Sequence, residues 1–214
     1  AEALVRNIPA FANFLEIASL SDSEMVNFAN IARDCGVAAP TVKEYFQILE
    51  DTLLAKFLPA YKKRPKRRVI QASKFYYSDV GIVNYLSKRK QVTEGSELYG
   101  KAFENWVFHE LDAYAAYSEK SWDLSYWRLA SGSAEVDFII NDMEYAIEAK
   151  ASRNIHSDHL KGLRELKKDQ PKLKKQILVS LVDNNRLTED GIEIISAQSF
   201  IERLWSGRLC GGTL

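Results

Sequence analysis

Apolar residues recur at helical spacing over the first quarter of the chain and alternate with polar ones later, and this change of period outlines the elements. Over residues 4–20, Val5, Ile8, Phe11, Phe14, Leu15 and Ala18 share one face, which predicts an amphipathic helix broken at Pro9. Ser21, Asp22, Ser23 and Glu24 offer caps for a second helix over residues 26–33, which ends near Gly36. A third opens at Ala39, Pro40 and Thr41 and runs to about residue 54. Its core side carries Val42, Tyr45, Phe46, Leu49 and Leu53. Residues 55–61 then read as a strand, 62–68 as a polar tip, and part of 69–77 as the return strand. A short helix follows over residues 78–86, and residues 87–96 form a polar, basic linker.

The second half begins with a helix from Glu97 to about residue 117, with Phe103, Val107, Phe108 and Leu111 as its core stripe. Residues 124–129 alternate like a strand. Residues 134–140 and 145–150 alternate too, and Asn141-Asp142 between them is a turn signal, which predicts a β-hairpin. A four-residue loop pairs Ile140 with Tyr145, Phe138 with Ile147 and Asp137 with Glu148. Val136, Phe138, Ile140, Tyr145 and Ile147 then share one face, and Glu135, Asp137, Glu148 and Lys150 the other. Ser157 caps a helix to about residue 168, residues 176–181 form a buried strand, 191–196 another, and 197–205 a closing helix. The order α-β-β-β-α-β-β-α predicts a mixed sheet with helices on its faces, an α/β class of fold.

Composition adds limits. The 214 residues, 46% apolar and 11% aromatic, allow one large or two small domains with real cores. The linker sets the expected division: 1–95, 96–206, and a tail of 207–214. Cys35 and Cys210 form no disulfide framework and no C-x-x-C pair. With no signal peptide and no apolar run of membrane-spanning length, a cytoplasmic protein with reduced thiols is expected. The chain does not begin with methionine, so we expect a piece of a longer protein.

Net charge is zero but uneven. Residues 1–55 carry three Lys/Arg against eight Asp/Glu, whereas residues 56–74 carry eight basic residues and no acid. Helix, short Cys35-Gly36-Val37 turn, helix, strand, basic tip and strand is the order of a winged helix-turn-helix. Lys62, Lys63, Arg64, Lys66, Arg67 and Arg68 at the tip would lie on a phosphate backbone, with Thr41 and Lys43 at the start of the second helix. The expected partner is nucleic acid, DNA in the first instance. Glu44, Glu50 and Asp51 on that helix speak against reading of bases in a major groove. A connector with a solvated charge run is the plainer alternative.

The hairpin carries the candidate chemistry. Like charges across an antiparallel pair repel, and a divalent cation relieves that repulsion. Mg²⁺, or Mn²⁺ in its place, favours one or two carboxylates with waters and phosphate oxygens, and a nearby lysine can hold a nucleophile or developing charge. An ordinary sheet face with a Glu–Lys pair is the alternative. Arg128 is open to two roles, phosphate contact or salt bridge. His156 and His159 lie close to the patch, and His109 reads as a packing residue. From residue 153 to 175 there are eight Lys/Arg and three acids, which suits a polyanionic substrate and equally suits solubility.

Asp137 followed at hairpin distance by Glu148-Ala149-Lys150 resembles the core of the PD-(D/E)XK, restriction-endonuclease-like superfamily. Members often add an acid on a preceding helix, and Glu104, within Gly100-Lys101-Ala102-Phe103-Glu104-Asn105, matches it. More narrowly, the chain resembles the C-terminal region of a prokaryotic family of AAA-type ATPases. The residues that carry this are Pro40-Thr41-Val42-Lys43-Glu44-Tyr45, Tyr76-Tyr77-Ser78-Asp79-Val80-Gly81, Tyr126-Trp127-Arg128, Glu135-Val136-Asp137-Phe138 and Ile147-Glu148-Ala149-Lys150. The resemblance implies an N-terminal ATPase module as partner, then a winged helix and a nuclease-like domain. In that domain Asp137 and Glu148 would ligate Mg²⁺ or Mn²⁺, Lys150 would position the attacking water, and Glu104 and Glu135 would be auxiliary acids. No G-x-x-x-x-G-K-[ST] is present, so no ATP site of that kind is expected in this chain. The other reading is a catalytically inactive module that binds DNA or a protein partner for the ATPase.

Overall fold

The computed structural model describes residues 5, 7–61, 72–89, 91–119 and 121–210. The fold class is mixed α/β, with seven helices, one small sheet and one mixed six-stranded sheet among these residues. The chain divides into two compact units, residues 1–58 with 72–93, and residues 59–71 with 94–214. No helix among the described residues is long and apolar enough to cross a membrane.

The first unit runs α1 (Ile8–Ser19), β1 (Glu24–Met25), α2 (Phe28–Cys35), α3 (Ala39–Asp51), β2 (Ala55–Leu58), β3 (Lys74–Tyr77) and α4 (Val80–Leu86). Its three strands lie in the order β1-β3-β2 and all pair antiparallel. Phe46 is the hub of the core, edge-on to Phe14 and Phe75 with ring centroids 4.8 Å apart in both pairs. Gly36, at φ 68°, closes α2 in the left-handed conformation that a side chain resists.

Several local expectations change here. Pro9 sits in the first turn of α1, where its missing N–H costs nothing, so it opens the helix rather than breaking it. Ile8 is accordingly 72% exposed and outside the core. Residues 21–24 do not cap α2; Asn27 does, accepting from the backbone N–H groups of Ala29 and Asn30. Asp22 instead accepts the Tyr77 N–H at 2.8 Å, and Glu24–Met25 add a strand beside β3. Leu53 lies past the end of α3, 76% exposed, not on its core side. The strand expected over residues 55–61 stops at Leu58.

The second unit runs α5 (Glu97–Tyr117), β4 (Leu124–Arg128), β5 (Glu135–Ile140), β6 (Tyr145–Lys150), a 3-10 turn (Ser157–Leu160), α6 (Lys161–Asp169), β7 (Lys175–Ser180), β8 (Arg186–Leu187), β9 (Ile192–Ser196) and α7 (Ala197–Trp205). The sheet order is β4-β5-β6-β7-β9-β8, with β6, β7 and β9 mutually parallel and the outer pairings antiparallel. Ala60 adds a bridge beside β4, with the Tyr61 N–H donating to the Tyr126 carbonyl at 2.8 Å. Leu163 and Leu166 of α6 cover Ile139, Ala146, Leu178 and Ile194 on one face. On the other, Phe108 of α5 stacks on Phe138, and Trp106 meets Phe200 of α7. The result is a sheet between two helical layers.

The hairpin register is the expected one at Ile140 opposite Tyr145 and Phe138 opposite Ile147, but the expected pair of Asp137 with Glu148 does not form, because the ladder stops at Phe138. The facing of β5 is different. Between Ser125↔Ile139 and Trp127↔Val136 the register shifts, so Tyr126 of β4 stands opposite both Asp137 and Phe138. This β-bulge breaks the alternation. Val136 therefore joins Ile139 and Ala146 under α6 rather than sharing the face of Phe138. Close packing there depends on Gly162, where a Cβ would stand 1.8 Å from the Glu135 carbonyl oxygen. Overpacking costs roughly 1–3 kcal/mol or more. We expect Gly162→Ala to lower the melting temperature by about 2–4 °C for each kcal/mol lost. Gly100→Ala in α5, where a Cβ meets nothing within 4 Å, should be neutral or slightly stabilising. Equal melting shifts for the two would contradict this packing.

Candidate functional site

The bulge at Asp137 and Phe138 interrupts the ladder between β4 and β5, and the pairing of β5 with β6 stops at Phe138. On its other side β6 stays paired with β7 as far as Lys150. The Ala149 N–H is taken up by the Asp137 side chain, whose Oδ2 accepts it at 3.0 Å. Ala149 lies between Glu148 and Lys150, so this bond fixes Asp137 against both. Asp137 and Glu148 are only 4% and 5% exposed. Glu148 Oε1 forms an ion pair with Lys150 Nζ at 2.6 Å.

Burial alone would lower the Lys150 pKa, but Glu148, Asp137 and Glu104 together outweigh it and hold the ammonium well above its ordinary value. Glu104, on α5, is thus near enough to act on Lys150. Glu104, Asp137, Glu148 and Lys150 are brought together at the carboxyl end of β6, the end at which open α/β sheets receive ligands. Glu135 is not part of this group in the way its spacing predicted. The bulge turns it from the face that Glu148 and Lys150 share, and it pairs with Arg128 Nη1 at 2.8 Å. Arg128 has thereby taken the salt-bridge role.

Two buried carboxylates fit a Mg²⁺ or Mn²⁺ that keeps waters and shares phosphate oxygens. Among the described residues no group of three or more His, Cys, Asp or Glu could hold a metal ion.

The basic segment beside the site is largely neutralised within the fold. Arg153 pairs with Glu94, Arg164 with Asp190, Lys168 with Glu165, Lys174 with Glu144 and Lys175 with Glu193. Lys167 donates to the carbonyls of Pro171 and Leu173. The Arg164 guanidinium and the Thr188 side chain hold the Asp190 carboxyl down at about 2, which marks a clasp between α6 and the turn before β9. In the first unit Thr41 is half-buried, and Lys43 is exposed with its ammonium 5.6 Å from the Phe28 ring centre. Lys62, Lys63, Arg64, Lys66, Arg67 and Arg68 lie outside the described residues.

Ser180 escaped notice in the sequence. It ends β7 beside Lys150, and its signal is one hydroxyl closing the apolar run Ile177-Leu178-Val179. Gly95 to Ala102 also comes within one residue of a phosphate loop, with Ala102 where Ser or Thr would stand. Ser96 caps α5 through the Tyr99 N–H, so most of that stretch is helix rather than loop.

Residues 1–93 match the model of a domain of unknown function, DUF8612, and residues 99–200 match that of another, DUF4143. DUF4143 is a domain found in AAA-ATPase-associated proteins. No curated protein matches the chain significantly.

His159 reports on the same site. Its Nδ1 accepts the His156 N–H at 3.3 Å. Burial, then Lys150 and His156, push its pKa below the ordinary histidine value, with Asp158 opposing. The folded state therefore favours the neutral ring more than the unfolded chain does. That stabilisation is complete above the ordinary range and is lost as pH falls through it. We expect stability in denaturant to decline from about pH 7 to about pH 5, and His159→Gln to flatten the slope. An unchanged slope in the variant would contradict the assignment.

Proposed function

We propose that the chain belongs to an AAA-type ATPase-associated protein in which a winged helix precedes a PD-(D/E)XK, restriction-endonuclease-like domain. The second unit would be a divalent-metal-dependent phosphodiesterase acting on nucleic acid. One observation carries this reading: the Asp137 carboxylate bonded to the backbone of Ala149, between Glu148 and Lys150. Random surface charges give no reason for a buried acid to be locked to the middle of a Glu-x-Lys strand. The helix-turn-helix followed by an antiparallel strand pair supports the winged helix.

Asp137 and Glu148 would hold the cation, which when bound supplies an acidified water and neutralises phosphate charge. The chain's own groups do the remaining work. Lys150 orients the attacking water or a phosphate oxygen, Asp137 is held in place by the Ala149 N–H, and Glu104 tunes the charge on Lys150. Lys43 and the basic residues 62–68 would contribute backbone contacts to DNA. A second reading is an inactive nuclease-like module that binds DNA or a protein for the ATPase. It is favoured by the 2.6 Å ion pair with Lys150, which already compensates the Glu148 carboxylate without a metal.

The test is cleavage of single-stranded, double-stranded and branched DNA and RNA with Mn²⁺. We expect chelation to abolish it and Asp137→Ala to slow it about 100-fold or more. Lys150→Arg, which keeps a cation beside Glu148 but not the compact ammonium, should slow it too. Salt-sensitive DNA binding without cleavage would select the inactive module. Neither cleavage nor binding would overturn both nucleic-acid readings.

A further inference from the structure

Ser180 is fully buried, and its Oγ has no hydrogen-bond partner among the described residues. A buried hydroxyl left this way lowers stability, and removing it would ordinarily recover the loss. Its place in the fold shows what it can serve. Ser180 is the register partner of Lys150 in the parallel β6–β7 pair. Both side chains therefore leave the same face, one strand spacing of about 4.8 Å apart. A lysine stem spans that gap. The ammonium has three N–H donors, and its ion pair with Glu148 at 2.6 Å uses one of them.

We infer that Ser180 is a positioning residue whose hydroxyl accepts from the Lys150 ammonium whenever another cation takes up the Glu148 carboxylate. A second cation on the Glu148 carboxylate repels the Lys150 ammonium and weakens its 2.6 Å contact with Oε1. The displaced ammonium, still partly enclosed, needs an acceptor on its own face of the sheet. Ser180 supplies it and so keeps Lys150 aimed at the strand end rather than released to solvent. The inference deepens the hydrolytic reading above and rests on it for its purpose, but its test does not.

That test is thermal unfolding without metal or nucleic acid, with Ser180→Ala placed in wild type and in Glu148→Gln. In wild type, where Glu148 holds the ammonium, Ser180→Ala should leave the melting temperature unchanged or raise it. In Glu148→Gln it should lower it by about 2–4 °C, and the lowering should vanish when Lys150→Met is added. Ser180→Thr, which keeps the hydroxyl, should restore the Glu148→Gln value. Glu148→Met provides a second background should Glu148→Gln fold poorly. An equal shift from Ser180→Ala in all backgrounds overturns the inference. Absence of cleavage by the wild type would remove the hydrolytic reading and leave this result standing.

Discussion

The hydrogen bond from the Ala149 amide to the Asp137 carboxylate is the contact on which the rest of the candidate site depends. It exists because β5 carries one residue too many against β4, at Asp137 and Phe138. Without that bulge Asp137 would sit in a regular ladder opposite Glu148, and the two acids would simply repel. With it, Asp137 leaves the ladder and takes a backbone donor that would otherwise bond to β5. Glu148 is stabilised separately by Lys150. Two buried negative charges are thus held near each other, each with its own positive or donating partner.

The surrounding layers hold this end of the sheet in shape. Gly162 lets α6 approach the backbone of Glu135 at the start of β5. Phe108 of α5 stacks on Phe138 next to Asp137, in the same helix that carries Glu104. The arrangement leaves little room for the strand to slip, because a one-residue shift would move Asp137 away from Ala149 and bury its charge elsewhere. Charge around the site is equally constrained. Most of the basic residues from 153 to 175 are paired within the fold, so the local positive potential is smaller than their number implies.

Much of this was legible in the residues. Alternation over 134–150 and the Asn141-Asp142 turn give the hairpin and its register, because period and loop length determine both. The helical stripes of α3 and α5 give Val42, Phe46, Leu49, Val107 and Leu111 as core. The bulge was not legible. An extra residue leaves no mark on a pattern read from one strand alone, so Val136 and Glu135 were assigned to the wrong faces. Glu24–Met25 was hidden for a related reason, since two residues are too few to show a period. Asn27 capping α2 in place of residues 21–24 shows that several polar residues in a row leave the true cap undecided. Ser180 lacks any sequence signal beyond one hydroxyl in an apolar run, and only its neighbour across the sheet gives it meaning.

The measurement that reaches the centre of this account is paramagnetic broadening of backbone amide signals by substoichiometric Mn²⁺. The amides of Asp137, Glu148, Ala149 and Lys150 should broaden first and together, and Asp137→Asn should remove the effect. Broadening confined to exposed acids such as Asp183 and Glu189, with the Ala149 amide left sharp, would contradict it.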